Sequence, residues 1–138
     1  MASNRAARVV VDTSAVLAVL VSEPVRPAVL EVTRSSALFA APSLPWEIGN
    51  ALVALVRRRL ADGSDVERAW SAFRQVPVRY VEIDVPAALL LAVRTSLYAY
   101  DAYVLEAARA ARAPLLSLDQ RQGRVARSLG IDVLEVVP

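Results

Sequence analysis

Four acidic residues carry the chemistry that this sequence could perform: Asp12, Glu47, Asp101 and Asp119. Each lies at the end of an apolar segment or beside the apolar face of a predicted helix, where a charge needs a partner. The chain contains no histidine, cysteine or lysine. Any reaction that it catalyses must therefore depend on carboxylates, hydroxyls, amides and arginines.

This inventory excludes several kinds of site. Without imidazole or thiol groups the chain cannot form a Ser-His-Asp triad, a Cys-His pair or a zinc site of cysteine and histidine. Without lysine it has neither a P-loop lysine nor a Schiff base. A metal site would be built from oxygen ligands, which favour Mg²⁺, Mn²⁺ or Ca²⁺ over zinc or copper.

Asp12 is the last residue of a predicted strand, 8–12, and Asp119 directly follows another, 115–118. In open α/β sheets ligands bind beyond the carboxyl ends of the strands, so both carboxylates are placed for a binding site. Each also precedes a helix and could instead be an N-cap. Ser14 could be a further capping hydroxyl, and Ser117 could position Asp119 or a water molecule.

Glu47 and Asp101 lie on predicted helices. Glu47 is at the edge of a buried stripe, with Asn50 on the same flank one turn later, and the alternative is a solvated acid. Asp101 shares its helical face with apolar residues at i+3, i+4 and i+7, although it could cap the helix that it begins. If all four acids converge, they repel by about 1 kcal/mol per pair in water and more at lower dielectric, and a bound Mg²⁺ or Mn²⁺ removes that conflict.

The elements that position these acids alternate along the chain, which predicts an α/β fold with a parallel sheet covered by helices on both faces. Strands are predicted at 8–12, 37–41, 79–83, 115–118 and 133–136. Helices are predicted at 13–21 and, after a break at Glu23-Pro24, up to about residue 34. A long helix is predicted from an N-cap at Ser43 to near residue 62, with Asp62 and Asp65 as turn residues. The remaining helices are predicted at 65–75, 86–97, 100–112 and 120–129.

The 138 residues fit one domain. Residues 1–7 are predicted to be a flexible N-terminus and 8–138 a single domain. The longest apolar run, Ala15–Val21, is far below the roughly 20 residues that span a bilayer, and the N-terminus does not resemble a signal peptide. With no cysteine, these features predict a cytoplasmic protein without a membrane segment.

The basic residues are 16 arginines against 14 acids. Arginine favours bidentate contacts with carboxylate and phosphate, but a GC-rich genome would produce the same composition. The small positive excess permits an anionic partner without requiring one.

Four segments resemble the motifs of PIN-domain ribonucleases, specifically the VapC-type toxins of toxin–antitoxin pairs. They are VVVDTSAVLA (9–18), PWEIGNALV (45–53), YDAYVLEAA (100–108) and LLSLDQR (115–121), in the order and approximate spacing of that family. Asp12, Glu47, Asp101 and Asp119 match its acidic quartet. Ser14 and Asn50 match polar positions of its motifs, and Ser117 stands where a threonine is usual.

The resemblance implies a PIN-like fold with a five-stranded parallel sheet between helices. It implies an endoribonuclease in which the four acids hold Mg²⁺ or Mn²⁺, with Ser14, Asn50 and Ser117 supporting them, and in which water attacks to leave 5′-phosphate and 3′-hydroxyl products. It also implies a homodimer and a cognate VapB-like antitoxin whose C-terminal segment occupies the cleft.

Arg121, Arg124 and Arg127 fall within a roughly 120° arc of the predicted helix after Asp119. They could track the phosphates of an RNA substrate, or they could form a solvated basic face.

Other classes remain as alternatives. A haloacid-dehalogenase-like phosphatase also begins with a strand ending in Asp, but it needs a second Asp where Ser14 stands and usually a lysine. A response-regulator receiver also needs a lysine. A non-catalytic PIN-like module that binds RNA or protein would keep the acids without hydrolysis, so an assay must separate it from a nuclease.

Overall fold

The structure, a computed structural model, describes residues 7–137. Within this range the chain forms four strands, β1 (Ala7–Val11), β2 (Ser36–Ala40), β3 (Val78–Tyr80) and β4 (Leu115–Leu116). The seven helices found there are α1 (Thr13–Leu20), α2 (Arg26–Thr33), α3 (Leu44–Arg57), α4 (Gly63–Phe73), α5 (Val85–Thr95), α6 (Ala99–Ala111) and α7 (Gln120–Ser128). The predicted flexible N-terminus lies outside the described residues except for Ala7, which begins β1.

The strands form one parallel sheet in the order β3-β2-β1-β4. The register pairs Val10 of β1 with Phe39 on one side and with Leu115 on the other. Since β1 is an inner strand, the residue after its carboxyl end lies between the ends of β2 and β4. The predicted α/β fold with a parallel sheet is therefore confirmed.

Helices cover both faces of the sheet, because alternate residues of the buried strand β1 point to opposite sides. Val10 packs into one apolar cluster with α5 and α6, which contribute Leu91 and Leu105. Val9 and Val11 pack into a second cluster with α1, α3 and α4. The two clusters hold the helices that carry the acidic residues against the sheet.

The predicted fifth strand is wrong for the described residues. The segment 133–136 makes one isolated parallel bridge, between Val133 and Leu115. The amide of Leu115 donates to the Asp132 carbonyl at 2.8 Å, and the amide of Leu134 donates to the Leu115 carbonyl at 2.9 Å. Because β4 is only two residues long, its outer edge offers too few backbone groups to extend this pairing into a strand.

Two boundaries near the middle of the chain also differ from prediction. Helix α3 ends at Arg57, well before residue 62, and Arg59 adopts a left-handed conformation with φ 58°. Asp62 and Asp65, predicted as turn residues, form the capping box of α4: each carboxylate accepts from the other's backbone N–H.

The longest described helix, α3, has 14 residues, and no helix in residues 7–137 is long and apolar enough to cross a membrane.

Candidate active site

Asp12 is the central acid of the site, at the carboxyl end of β1, and only 4% of it is exposed. Its Oδ1 caps α1 by accepting from the Ala15 backbone N–H at 3.0 Å, and it also accepts from the Ser14 hydroxyl at 2.6 Å. Its Oδ2 accepts from the Ser117 hydroxyl. Burial raises the pKa of Asp12 above its usual value; the three hydrogen bonds oppose this rise, and the nearby charge of Asp119 adds to it.

Ser14 and Ser117 join the ends of β1 and β4. The Leu118 backbone N–H donates to the Ser14 hydroxyl at 2.9 Å, and the Asp119 backbone N–H donates to the Ser117 hydroxyl at 3.1 Å. Each hydroxyl therefore accepts from the segment after β4 while it donates to Asp12. This network fixes the Asp12 carboxylate relative to the backbone that carries Asp119.

Glu47 lies in the first turn of α3, where the edge of the buried face leaves it partly exposed. Ser43 occupies the predicted N-cap position, but its hydroxyl donates to the Glu47 carboxylate at 2.9 Å and makes no capping bond. Burial raises the pKa of Glu47, and the charges of Asp101 and Asp12 raise it further, while the hydroxyls of Ser43 and Thr13 lower it.

The Thr13 hydroxyl is a feature of the site that the sequence did not single out. It lies close enough to Glu47 to lower the pKa of that carboxyl, but the pair does not meet hydrogen-bond geometry. Within the described chain, Thr13 Oγ1 is therefore a buried polar atom without a partner. Such an atom commonly marks a missing water or ligand contact.

Asp101 lies in the first turn of α6, which begins at Ala99 after the N-cap residue Tyr98. Asp101 therefore does not cap this helix, and no side chain or amide in residues 7–137 donates a hydrogen bond to its carboxylate. Burial raises the pKa of Asp101, as do the charges of Asp119 and Asp12, whereas Arg121 lowers it. Its charge is compensated by one arginine and not by a hydrogen bond.

Asp119 is the exposed acid of the four. Its Oδ1 caps α7 by accepting from the backbone N–H groups of Arg121 at 2.9 Å and Gln122 at 3.2 Å. The alternative role of N-cap is thus real for both Asp12 and Asp119, but in neither case does it exclude a second role. Capping uses one oxygen of Asp119 and leaves the other available.

The structure brings the four predicted acids into one electrostatically coupled cluster. Asp12 interacts with Asp119, Glu47 and Asp101, and Asp101 also interacts with Glu47 and Asp119. In residues 7–137 no three acidic side chains stand at the spacing of a metal-binding group. The arrangement is a charge-coupled cluster and not an assembled coordination shell.

The chemistry of the donors nevertheless fits a hard divalent cation. The candidate ligands are all oxygen atoms, and three of the four acids have a pKa raised by burial and mutual repulsion. A cation among them would relieve that repulsion, and the unpartnered Thr13 hydroxyl adds a polar group beside Glu47. Asn50 is exposed and, among the described residues, its side chain forms no hydrogen bond, so the structure gives it no part in this cluster.

Gln122 is a second polar residue of the site that the sequence analysis did not select. It is 2% exposed, and its Nε2 donates to the Asp101 backbone carbonyl at 3.1 Å. Its Oε1 lies 3.4 Å from the Ser117 hydroxyl, and its backbone N–H donates to Asp119. Gln122 thus connects α6, β4 and α7, the three elements that carry or support Asp101, Ser117 and Asp119.

The three arginines of α7 separate into two groups. Arg121 donates to the Ser96 carbonyl at 2.7 Å and lies near Asp101. Arg127 forms an ion pair with Glu135, whereas the Arg124 side chain has neither an ion pair nor a hydrogen bond within residues 7–137. All three are exposed, but Arg121 faces the cluster and the α5–α6 junction, while Arg124 and Arg127 face the C-terminal segment.

The sequence matches the PIN domain family over residues 9–128. No curated protein matches the chain.

Several solved structures share the fold. The crystal structure of PAE2754 from Pyrobaculum aerophilum is 20% identical, with a TM-score of 0.66 over 89% of this chain and 86% of that one. VapBC2 from Rickettsia felis, bound to a DNA fragment from its promoter, is 9% identical, with a TM-score of 0.67 over 94% and 99%. FitAcB from Neisseria gonorrhoeae is 16% identical, with a TM-score of 0.60 over 92% and 96%. At these identities the similarity shows a common fold.

Proposed function

This chain belongs to the PIN domain family, and on that premise we propose that it is a metal-dependent endoribonuclease, the VapC-type toxin of a type II toxin–antitoxin pair. The observation that carries the proposal is the coupled cluster of four carboxylates beyond the sheet, in a chain without histidine, cysteine or lysine. Such a chain can hydrolyse a phosphodiester if oxygen ligands hold a divalent cation.

Asp12, Glu47, Asp101 and Asp119 would hold Mg²⁺ or Mn²⁺. When bound, the cation would lower the pKa of an attacking water and stabilise charge on the phosphate, which favours 5′-phosphate and 3′-hydroxyl products. Ser14 and Ser117 orient Asp12 through their hydroxyls, and Ser43 orients Glu47. These hydrogen bonds lower the pKa of both carboxyls and so partly offset the rise that burial causes.

Arg121 is the arginine best placed for the substrate at this site. It lies near Asp101, and its guanidinium already donates to the Ser96 carbonyl, which holds it beside the cluster. The Arg121 guanidinium would contact the RNA backbone, and its positive charge would help to offset the four negative charges of the cluster. Arg124 and Arg127 would contact RNA further along α7.

A VapB-like antitoxin is the proposed protein partner. A groove of about 620 Å³ lies between the end of α1 and helices α3 and α4, lined by apolar side chains that include Leu20, Leu52, Leu55 and Leu60. Asp65 and Arg68 add charge of both signs to its lining. An amphipathic segment of an antitoxin fits this combination of an apolar floor with charged groups.

A homodimer is also proposed, with the outer face of α5 at the contact. Leu90 is 65% exposed and Val93 80%, and Val85 and Leu89 are exposed beside them. The helix contains no acidic residue and one basic residue, Arg94. An apolar face of this kind is complementary to itself across a two-fold axis. We also propose that the protein acts on RNA in the cytoplasm.

The direct test is cleavage of total RNA and transfer RNA in Mn²⁺ or Mg²⁺ by the wild type and by Asp12→Asn. Asp84→Asn provides a matched control, because Asp84 also follows a strand and caps a helix, accepting from the Ala87 N–H at 3.0 Å, but lies outside the cluster. We expect wild type and Asp84→Asn to give discrete fragments that EDTA abolishes, and Asp12→Asn to lose at least roughly 100-fold in rate.

Equal activity of the wild type and Asp12→Asn would contradict the role of Asp12 and would point to a contaminating nuclease. Inactivity of the wild type despite calorimetrically measured metal binding would favour the alternative, a non-catalytic PIN-like binding module.

A further inference from the structure

A polar cavity of about 280 Å³ opens beside Asp119, on the side facing the C-terminal segment. Its walls include Ser117 and Asp119 after β4, Arg124 and Arg127 on α7, and Glu135. This volume is close to the lower end of the roughly 300–1,000 Å³ that ligand pockets occupy. The cavity adjoins the carboxylate cluster, because Asp119 and Ser117 belong to both.

Arg127 points back towards the cluster end of α7. A Cβ built on Gly123, one turn earlier, would lie 3.7 Å from Nη1 of Arg127, so the guanidinium lies over Gly123. Helical side chains lean towards the N-terminus of their helix, which is the end capped by Asp119. Arg124 is three residues earlier on a neighbouring part of the same surface.

Glu135 neutralises Arg127 in this arrangement. The two side chains form an ion pair whose members are 49% and 76% exposed, so solvent screens it and little free energy is needed to open it. The lining thus contains two guanidinium groups and two carboxylates. Glu135 therefore competes with any anion for the charge and the donors of Arg127.

We propose that this cavity binds one nucleotide of the RNA next to the cleavage site, with its phosphate on Arg124 and Arg127, and that Glu135 competes with that phosphate for Arg127. The inference rests on the proposed ribonuclease function and deepens it. The Glu135 carboxylate thus weakens RNA binding, and its removal strengthens binding.

The test measures RNA binding without cleavage, on the Asp12→Asn background, by fluorescence anisotropy of a short labelled oligouridylate at several salt concentrations. We expect Glu135→Gln to tighten binding about two- to fivefold, the range of an exposed ion pair. Arg127→Gln should weaken binding and reduce the slope of log K against log salt by roughly 0.7, the value for one single-strand phosphate contact. In the Arg127→Gln background, Glu135→Gln should have no effect.

Arg74→Gln is the matched control, because Arg74 is an exposed arginine after α4 that is not part of the cavity lining, and it should leave the salt slope unchanged. A purely structural ion pair predicts the opposite pattern: Glu135→Gln would lower Tm and leave RNA affinity unchanged or weaker, which would overturn the proposal. Absence of oligouridylate binding at low salt would also overturn it. Because no step requires catalysis, this outcome is separate from the cleavage test of the proposed function.

Discussion

Asp12 combines a structural role and a proposed chemical role in one carboxylate. Its cap on Ala15 stabilises α1, while its burial and its neighbours Glu47, Asp101 and Asp119 destabilise its ionised form. The hydroxyls of Ser14 and Ser117 recover part of that loss. We therefore expect the folded protein to be less stable with an ionised Asp12 than with a neutral group at position 12.

This balance predicts how stability depends on pH. Asp12, Glu47 and Asp101 have folded pKa values above their ordinary values of 3.8, 4.5 and 3.8, so the folded protein holds protons more tightly than the unfolded chain. Their favourable contribution is fully present below the unfolded pKa and is lost as pH rises through the folded pKa. We expect the free energy of unfolding in EDTA to decrease as pH rises above about 4.

Asp12→Asn should make the free energy of unfolding fall less steeply with rising pH. At neutral pH in EDTA it should raise Tm by roughly 2–4 °C, because it removes a buried charge but keeps the capping oxygen. Thermal melts at several pH values measure both effects. Adding Mn²⁺ should raise Tm of the wild type more than that of the variant. A variant that is less stable than the wild type at every pH would refute this account.

At the scale of the elements, local patterns predict most of the architecture. Short apolar runs bounded by Asp or Pro indicate the strands, and parallel strands place Asp12 and Asp119 at one edge of the sheet. The end of α3 could not be predicted, because Arg59 adopts a left-handed conformation for which its sequence carries no turn signal. The prediction of a fifth strand was wrong because its pairing with β4 depends on the length of β4 and not on the β propensity of 133–136.

The same limits apply to the site. Glu47 and Asp101 are ambiguous by helical position alone, since a solvated acid and a clustered acid occupy the same edge of a helix, and the family motifs resolved them. Gln122 shares a helical face with Val125 and Ala126, but a glutamine at such a position is more often solvated than buried. Its burial depends on contacts with Asp101 and Ser117, which only the tertiary structure brings together.

Two glycines allow a prediction about element stability. Gly49 lies inside α3, and a Cβ added there would meet nothing within 4 Å, so Gly49→Ala should raise the free energy of unfolding by about 0.5–1 kcal/mol. Gly130, after α7, has φ 77°, a conformation that alanine adopts with strain, so Gly130→Ala should lower it by about 1 kcal/mol. Urea denaturation of both variants checks the pair; stabilisation by Gly130→Ala would contradict the assigned backbone conformation.

At the scale of the molecule, apolar side chains line two surfaces that could each receive a partner. The groove between α1, α3 and α4 and the outer face of α5 are separate surfaces, because they lie on helices that pack into different core clusters. A partner on one surface therefore need not displace a partner on the other. This separation supports proposing a homodimer and an antitoxin for the same chain.

Val93→Asp tests the α5 contact. In a two-fold dimer the substitution would place like charges near one another, so the variant should sediment as a monomer at concentrations where the wild type is a dimer. Leu30→Asp on α2 is the control, since Leu30 is also exposed but lies elsewhere, and it should remain dimeric. Sedimentation velocity over a range of concentrations decides; a wild type that stays monomeric throughout would refute the homodimer.

The hydroxyl network around Asp12 also has a consequence for synthesis on the ribosome. Ser117 and Leu118 reach this network across 105 and 104 residues of sequence from Asp12 and Ser14, respectively. The central acid therefore has its local donors, Ser14 and Ala15, but lacks the Ser117 donor until nearly the whole chain has left the exit tunnel. A nascent chain that stalls or terminates before residue 117 would carry Asp12, Glu47 and Asp101 but could not assemble the site.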